Sequence, residues 1–223
     1  MDWLAGTLAV VANDARLELR TRVALSGLGL FVAASLMLVR IAVQGAPTVP
    51  VAAALLWVVI VFAAAVGLGR AFVAEEERGT SLLLQLHLRP SQVLAGKLAF
   101  NTALMAAVIA LAAFGFGVLV PTPLGAPGVL LAALGLGAVG IAGATTLLSA
   151  LVARARAAGP LLPVLAFPML VPVLLPAVGL TQLASGAASG AWAEAAPDLT
   201  LMASYAGLLV SASFLLFDYV WRD

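Results

Sequence analysis

Residues 98–120 read LAFNTALMAAVIALAAFGFGVLV and residues 127–152 read PGVLLAALGLGAVGIAGATTLLSALV, with no charged side chain in either run. A helix needs about 20 predominantly apolar residues to cross the hydrocarbon core of a bilayer, so each run is long enough to span. Neither alternates apolar with polar residues as a barrel strand does, and in lipid a helix satisfies its own backbone groups. Further apolar runs fall outward of these two, at 23–43, 51–69, 157–180 and 199–221. Glycine, proline or charged residues separate them. The pattern predicts six transmembrane helices.

The rest of the chain agrees. Of its 223 residues 64% are hydrophobic and 9% charged, and the mean hydropathy is +1.16. Soluble domains carry about 25% charged residues, so a cytosolic globular enzyme, a disordered chain and a nucleic-acid binder are all excluded. An all-α integral membrane protein is expected, with residues 1–223 as one transmembrane domain. Six spans use about 120 residues and leave no room for a second folded domain. With no cysteine in the chain, disulfides and thiolate chemistry are excluded. The start, Met1-Asp2-Trp3, is acidic, and the short apolar stretch to Ala12 meets Asn13-Asp14 instead of a cleavage site, so no cleaved signal peptide is expected.

Charge placement sets orientation. With the N-terminus inside, Arg16, Arg20, Arg22, Arg70, Arg78, Arg89, Lys97, Arg154, Arg156 and Arg222 are cytoplasmic, and of the 11 basic residues only Arg40 lies outside. Both termini are therefore expected in the cytoplasm. Trp57, Tyr219 and Trp221 fall near the predicted helix ends, where aromatic rings favour the headgroup layer.

Residues 3–22 are too polar to span. On a helical wheel Leu4, Leu8, Val11, Ala15 and Leu19 share one stripe, which Asp14, Arg16, Glu18 and Arg20 leave. This suits a helix lying in the cytoplasmic interface.

Between the second and third spans lies a cytoplasmic insertion, residues 70–97, carrying Glu75, Glu76, Glu77 and Arg78. Gly79 suits a helix end. Ser81 suits the cap of a short helix over Leu82–Leu88, including Leu83, Leu86 and His87, which Pro90 after Arg89 terminates. Ser91 then suits the cap of the helix leading into span three. Composition alone reads the same stretch as a solvated hairpin kept wet by its glutamates. A phosphate-cradling loop needs G-x-x-x-x-G-K-[ST]. Gly96-Lys97 is preceded by Ser91 where glycine should stand and followed by Leu98, so this chain is not expected to be an ATPase.

Other features bear on function. Span four carries Gly135, Gly137, Gly140 and Gly143, small residues that allow close helix approach within the subunit or across a dimer. Span five holds Pro168, Pro172 and Pro176 on one face, which frees successive carbonyls. They suit either a kinked, pathway-lining helix or a static kink. Residues 181–198, rich in Ser, Gly and Ala, are expected as an external loop. His87 is the only histidine and sits in the insertion. Met37, Met105, Met169 and Met202 suit packing. No catalytic, cofactor-binding or metal site is assigned. No acid or histidine lies mid-span, which disfavours a proton relay.

The order Glu77, Gly79-Thr80, Leu82-Leu83-Leu84, Arg89-Pro90, Ser91, Leu94, Gly96-Lys97 resembles the coupling-helix region of ABC-2 type exporter permeases. Within that group the chain resembles the cytochrome c maturation permeases, the haem exporter protein B family. The marks are Asp14-Ala-Arg-Leu-Glu-Leu-Arg20, Leu56-Trp57, Gly69-Arg-Ala-Phe72, Arg156-Ala-Ala-Gly-Pro160 and Leu165-Ala-Phe-Pro168-Met-Leu-Val-Pro172-Val-Leu. The resemblance covers nearly the whole chain. It implies the ABC-2 permease fold in a bacterial inner membrane, a homodimer, and a cytoplasmic ATPase subunit that supplies ATP hydrolysis. Glu75, Glu76, Glu77, Arg78, Ser81, Leu82, Leu83, Leu86, His87 and Arg89 would then dock that subunit. It also implies haem-handling membrane partners, an external haem chaperone, and haem as a possible substrate. An ABC-2 permease for a lipid, glycan or drug, and a non-transporting scaffold, are the alternatives.

Overall fold

A computed structural model describes residues 3–21, 23–43, 45–67, 89–152, 158–186 and 191–222, and all its regular structure there is helical. The helices are α1 (Trp3–Thr21), α2 (Val23–Ala42), α3 (Val49–Gly67), α4 (Pro90–Leu119), α5 (Pro127–Val152), α6 (Ala158–Gly186) and α7 (Ala191–Arg222). Five of them, α2, α4, α5, α6 and α7, are long and apolar enough to cross a membrane. The sixth expected span, α3, is apolar but counts as shorter, over Val49–Ala65.

Helix α5 is the centre of the bundle. In its spanning window 61% of residues are buried, against 17–39% in the other four. It packs against α6, α7 and α4, and more lightly against α3, while α2 rests on α3 and α4 at the outside. Small residues make this possible, because helices in lipid associate through close packing and gain nothing from the expulsion of water. A Cβ at Gly137 would stand 2.5 Å from the Trp57 ring, and one at Gly140 would stand 2.9 Å from Val173. Gly143 faces Leu209 and Val210, while Gly135 meets nothing. The glycine face of span four is thus used mainly inside the subunit.

Trp57 corrects an expectation. It does not lie at the rim of the bundle but is 2% exposed, and its Nε1 donates to Thr181 Oγ1 on α6 at 2.9 Å. The indole fills the gap that Gly137 leaves, so one side chain joins α3, α5 and α6.

The expected external loop at 181–198 is also corrected. Helix α6 continues to Gly186 and α7 begins at Ala191. Thr181 and Ser185 fold their hydroxyls back onto the Ala177 and Thr181 carbonyls, four residues earlier. The hydroxyls are thereby satisfied without leaving the helix, and the alanines around them favour it. Pro197 lies inside α7, in its second turn, where it withholds one donor from the Ala193 carbonyl. The Ala184 carbonyl, at the end of α6, accepts from both Gly125 and Ala126 at 2.9 Å. This ties down the α4–α5 connection. The α2–α3 connection turns at Gly45, whose φ of +101° is one that side chains with a Cβ rarely adopt.

Gly137→Ala should lower the thermal unfolding midpoint of the detergent-solubilised protein, at a cost of about 1–3 kcal/mol, because the indole has nowhere to go. Gly135→Ala should be neutral or slightly stabilising. Equal tolerance at both positions would show that the Trp57 wedge does not limit packing.

Candidate functional site

The junction of α1 with the first two turns of α4 gathers more polar chemistry than any other part of the described bundle. Helix α4 starts at Pro90, well before the apolar run at 98, and this extension is what α1 grips. Arg89 is extended and caps the helix, with Pro90 in the first turn, where its fixed φ fits and its missing N–H costs nothing. Pro90 therefore opens α4. Ser91 is not the cap: the Arg89 N–H donates to Gln92 Oε1 at 2.9 Å, while Ser91 Oγ accepts from the Trp3 indole at 3.1 Å. Gln92 also donates through Nε2 to the Trp3 carbonyl at 3.2 Å. One side chain thus closes the start of α4 and holds the start of α1.

One turn further on, the two backbones come close. A Cβ at Gly96 would lie 2.6 Å from Val10 Cβ and 3.0 Å from the Thr7 carbonyl oxygen. Next to this contact Lys97 Nζ meets Asp14 Oδ2 at 3.2 Å, with side-chain exposures of 3% and 12%. A charge so far from water is tolerated only when it is paired and hydrogen-bonded. The Gly-Lys pair that fails as a phosphate loop is therefore a packing contact followed by a buried ion pair. One turn deeper, buried Asn101 donates through Nδ2 to Thr146 Oγ1 on α5 at 2.8 Å. Gln92, Lys97 and Asn101 form a polar ladder on α4 that binds α1 at one end and α5 at the other.

Helix α1 itself is divided by face. Gly6 and Val10 are buried, and with Asp14 they look toward α4. Leu4, Leu8 and Leu19 are 67%, 65% and 64% exposed. Glu18 Oε1 accepts the N–H of Leu25 at 2.7 Å. A carboxylate from α1 thus satisfies one orphan donor at the start of α2 and fixes the corner between them.

Of the residues expected to dock an ATPase, the structure describes Arg89, exposed where α4 begins. Glu75, Glu76, Glu77, Arg78, Ser81, Leu82, Leu83, Leu86 and His87 lie outside the described residues. Helix α6 carries Pro168 exposed, Pro172 half-buried and Pro176 buried, so their face turns from the surface into the core along the helix. Nearby, the Tyr205 hydroxyl of α7 donates to the Met169 carbonyl at 2.8 Å. That carbonyl is the neighbour of the Pro168 carbonyl, which Pro172 leaves without its helical donor. Met105 and Met202 are fully buried among apolar residues.

Sequence reasoning missed the Asp14–Lys97 pair and the Trp3–Gln92–Ser91 contacts. The available signal was a lysine next to an uninterrupted apolar run, opposite an aspartate that leaves the apolar stripe of its own helix.

A bundle with five apolar helices of spanning length, a buried polar ladder and an amphipathic N-terminal helix defines an all-helical integral membrane protein. The profile of the CcmB protein family matches residues 6–217, and the chain belongs to that family, the haem exporter protein B family of cytochrome c maturation. None of the curated proteins searched matches the chain.

Asp14→Asn should remove the carboxylate facing Lys97 and destabilise the folded protein by on the order of 3 kcal/mol, the usual cost of breaking a buried pair from one side. Asp14→Leu combined with Lys97→Met should recover most of that loss. Thermal unfolding in detergent reads both, and an unchanged midpoint in Asp14→Asn would show that the pair does not hold α1 in place.

Proposed function

We propose that the chain is the membrane permease subunit of an ATP-driven complex for cytochrome c maturation, working on haem supply to, or release of, an external haem chaperone. The family match over residues 6–217 carries this reading. In it the chain has the ABC-2 permease fold, six spans including α3, both termini in the cytoplasm and α1 in the cytoplasmic interface. It pairs with a second copy and with haem-handling membrane subunits in a bacterial inner membrane. ATP is hydrolysed by a separate cytoplasmic subunit, and this chain is not itself an enzyme.

The ATPase docks on residues 70–89, with Glu75, Glu76, Glu77 and Arg78 pairing charges and Ser81, Leu82, Leu83, Leu86 and His87 filling a groove. The arrangement beyond that segment supports the reading. Arg89 is where it becomes α4, and the first turns of α4 are bonded to α1 and, through Asn101, to α5. A push on the segment is therefore delivered to three helices at once, not dissipated in a loop. Pro168, Pro172 and Pro176 on α6 are the pathway-lining candidates. We favour conformational work on partner proteins over a haem pore: Met105 and Met202 are packed into the apolar core, and the sequence puts His87 in the cytoplasmic insertion, away from the spans.

Deleting the gene should abolish covalently bound haem in c-type cytochromes, read by haem staining after gel electrophoresis, and the intact gene should restore it. Glu76→Lys with Glu77→Lys should fail to restore it and should reduce co-purification of the ATPase severalfold. Normal cytochromes in the deletion strain would overturn the maturation role and leave an exporter of another cargo. Unchanged ATPase co-purification would remove the glutamates from the docking surface.

A further inference from the structure

The charges of α1 are sorted by sign. Both described acids are engaged within the protein: Asp14 with Lys97, and half-buried Glu18 with the N–H of Leu25. Both described bases, Arg16 and Arg20, are exposed. They stand one helical turn apart, on a strip of the helix between the exposed leucines and the side packed on α4. The outward surface of α1 thus combines an apolar stripe, Leu4, Leu8 and Leu19, with a flanking pair of positive charges.

This surface lies next to the start of a candidate span. Glu18 holds the start of α2, and α2 from Leu25 to Ala42 is a candidate membrane span. In the interfacial placement of α1, the chain passes from α1 into that span within a few residues, and the leucine stripe faces the start of the apolar phase. A helix with leucines on one side and arginines beside them lies in the headgroup layer, and its basic residues are drawn to anionic lipid.

We propose that the outward face of α1 is a binding surface for anionic phospholipid, with Arg16 and Arg20 engaging headgroup phosphates of the leaflet into which Leu4, Leu8 and Leu19 insert. The proposal rests on the interfacial placement of α1 and is independent of the haem-maturation role. The occupant is the bilayer itself: the apolar stripe leads toward the start of a candidate span, and the two exposed charges among the described residues of α1, Arg16 and Arg20, are both positive. The ion pair and the Trp3–Gln92 contact hold α1 to α4, so the lipid composition beneath α1 bears on the start of α4 as well.

The test uses the full chain in nanodiscs of phosphatidylcholine alone and of phosphatidylcholine with phosphatidylglycerol. The natural chain has no cysteine, so a dye on Leu8→Cys reports the position of α1 through quenching by lipid-borne or water-soluble quenchers. Bound phosphatidylglycerol is counted by mass spectrometry after delipidation from the mixed discs. Arg16→Gln with Arg20→Gln should reduce retained phosphatidylglycerol by roughly fivefold per arginine, and Arg40→Gln, at the far end of α2, should not. The Leu8→Cys dye should be quenched from the lipid side in both bilayers. Quenching only from water would overturn the interfacial placement. Lipid-side quenching with equal phosphatidylglycerol retention in wild type and double variant would overturn the headgroup proposal alone. Loss of ATPase co-purification with retention of phosphatidylglycerol unchanged would assign the arginines to the protein partner and overturn it equally.

Discussion

The bundle depends on a side chain that is not there. Residue 137 is glycine, and into that space the Trp57 indole inserts, with its N–H reaching Thr181. In water the hydrophobic effect gathers helices even when they fit poorly. In lipid the tails are as apolar as the side chains, and only close packing and hydrogen bonds distinguish a helix neighbour from a lipid neighbour. The Trp57 contact supplies both. It brings a large ring into van der Waals contact with a bare backbone and gives the one polar atom of that ring an acceptor. Thr181 in turn satisfies its own hydroxyl on the Ala177 carbonyl, so neither partner adds an unmet donor to the interior.

The same logic, at higher cost, governs the junction of α1 and α4. Lysine and aspartate are expensive to bury, and a buried pair seldom adds stability over a well-packed apolar alternative. What it supplies is specificity of position. The Lys97 ammonium meets the Asp14 carboxylate, and that contact fixes α1 in rotation as well as distance. With α1 so fixed, its leucines cannot turn inward and its arginines cannot turn away from the surface. Two glycines, Gly6 and Gly96, bring the backbones near enough for the polar contacts to close.

How much of this was legible in the sequence follows from what each signal measures. Apolar run length identified the helices at 98–120 and 127–152, because crossing a bilayer is a demand on consecutive residues. Apolar periodicity identified the stripe of Leu4, Leu8 and Leu19, because a helical face recurs in a single segment. Trp57 was misplaced since its position along a run says nothing about which facing residue lacks a side chain. Ser91 was misassigned for a related reason: a serine before an apolar run suits a cap, and only the nearness of Trp3, 88 residues away in sequence, gives it another partner. Thr181 and Ser185 read as loop residues, but their hydroxyls bond within α6 and let the helix run on. Long-range pairing of polar residues is the part a single sequence conceals.

Helix α4 shows why that concealed part matters for function. Its apolar run begins at 98, so by hydropathy the residues before it belong to the loop. In the structure they are two turns of helix, started by Pro90 and joined to α1 by Gln92 and Lys97. A loop entering a membrane helix would absorb displacement through its own torsions. A helix that extends past the apolar run and is braced against a second helix cannot, because its backbone hydrogen bonds and buried pair resist the same motion. In the proposed complex, work done by an ATPase on residues 70–89 therefore enters the bundle at Arg89 already coupled to α1. Gly96-Lys97 is what makes the entry stiff: the glycine permits the contact and the lysine pins it.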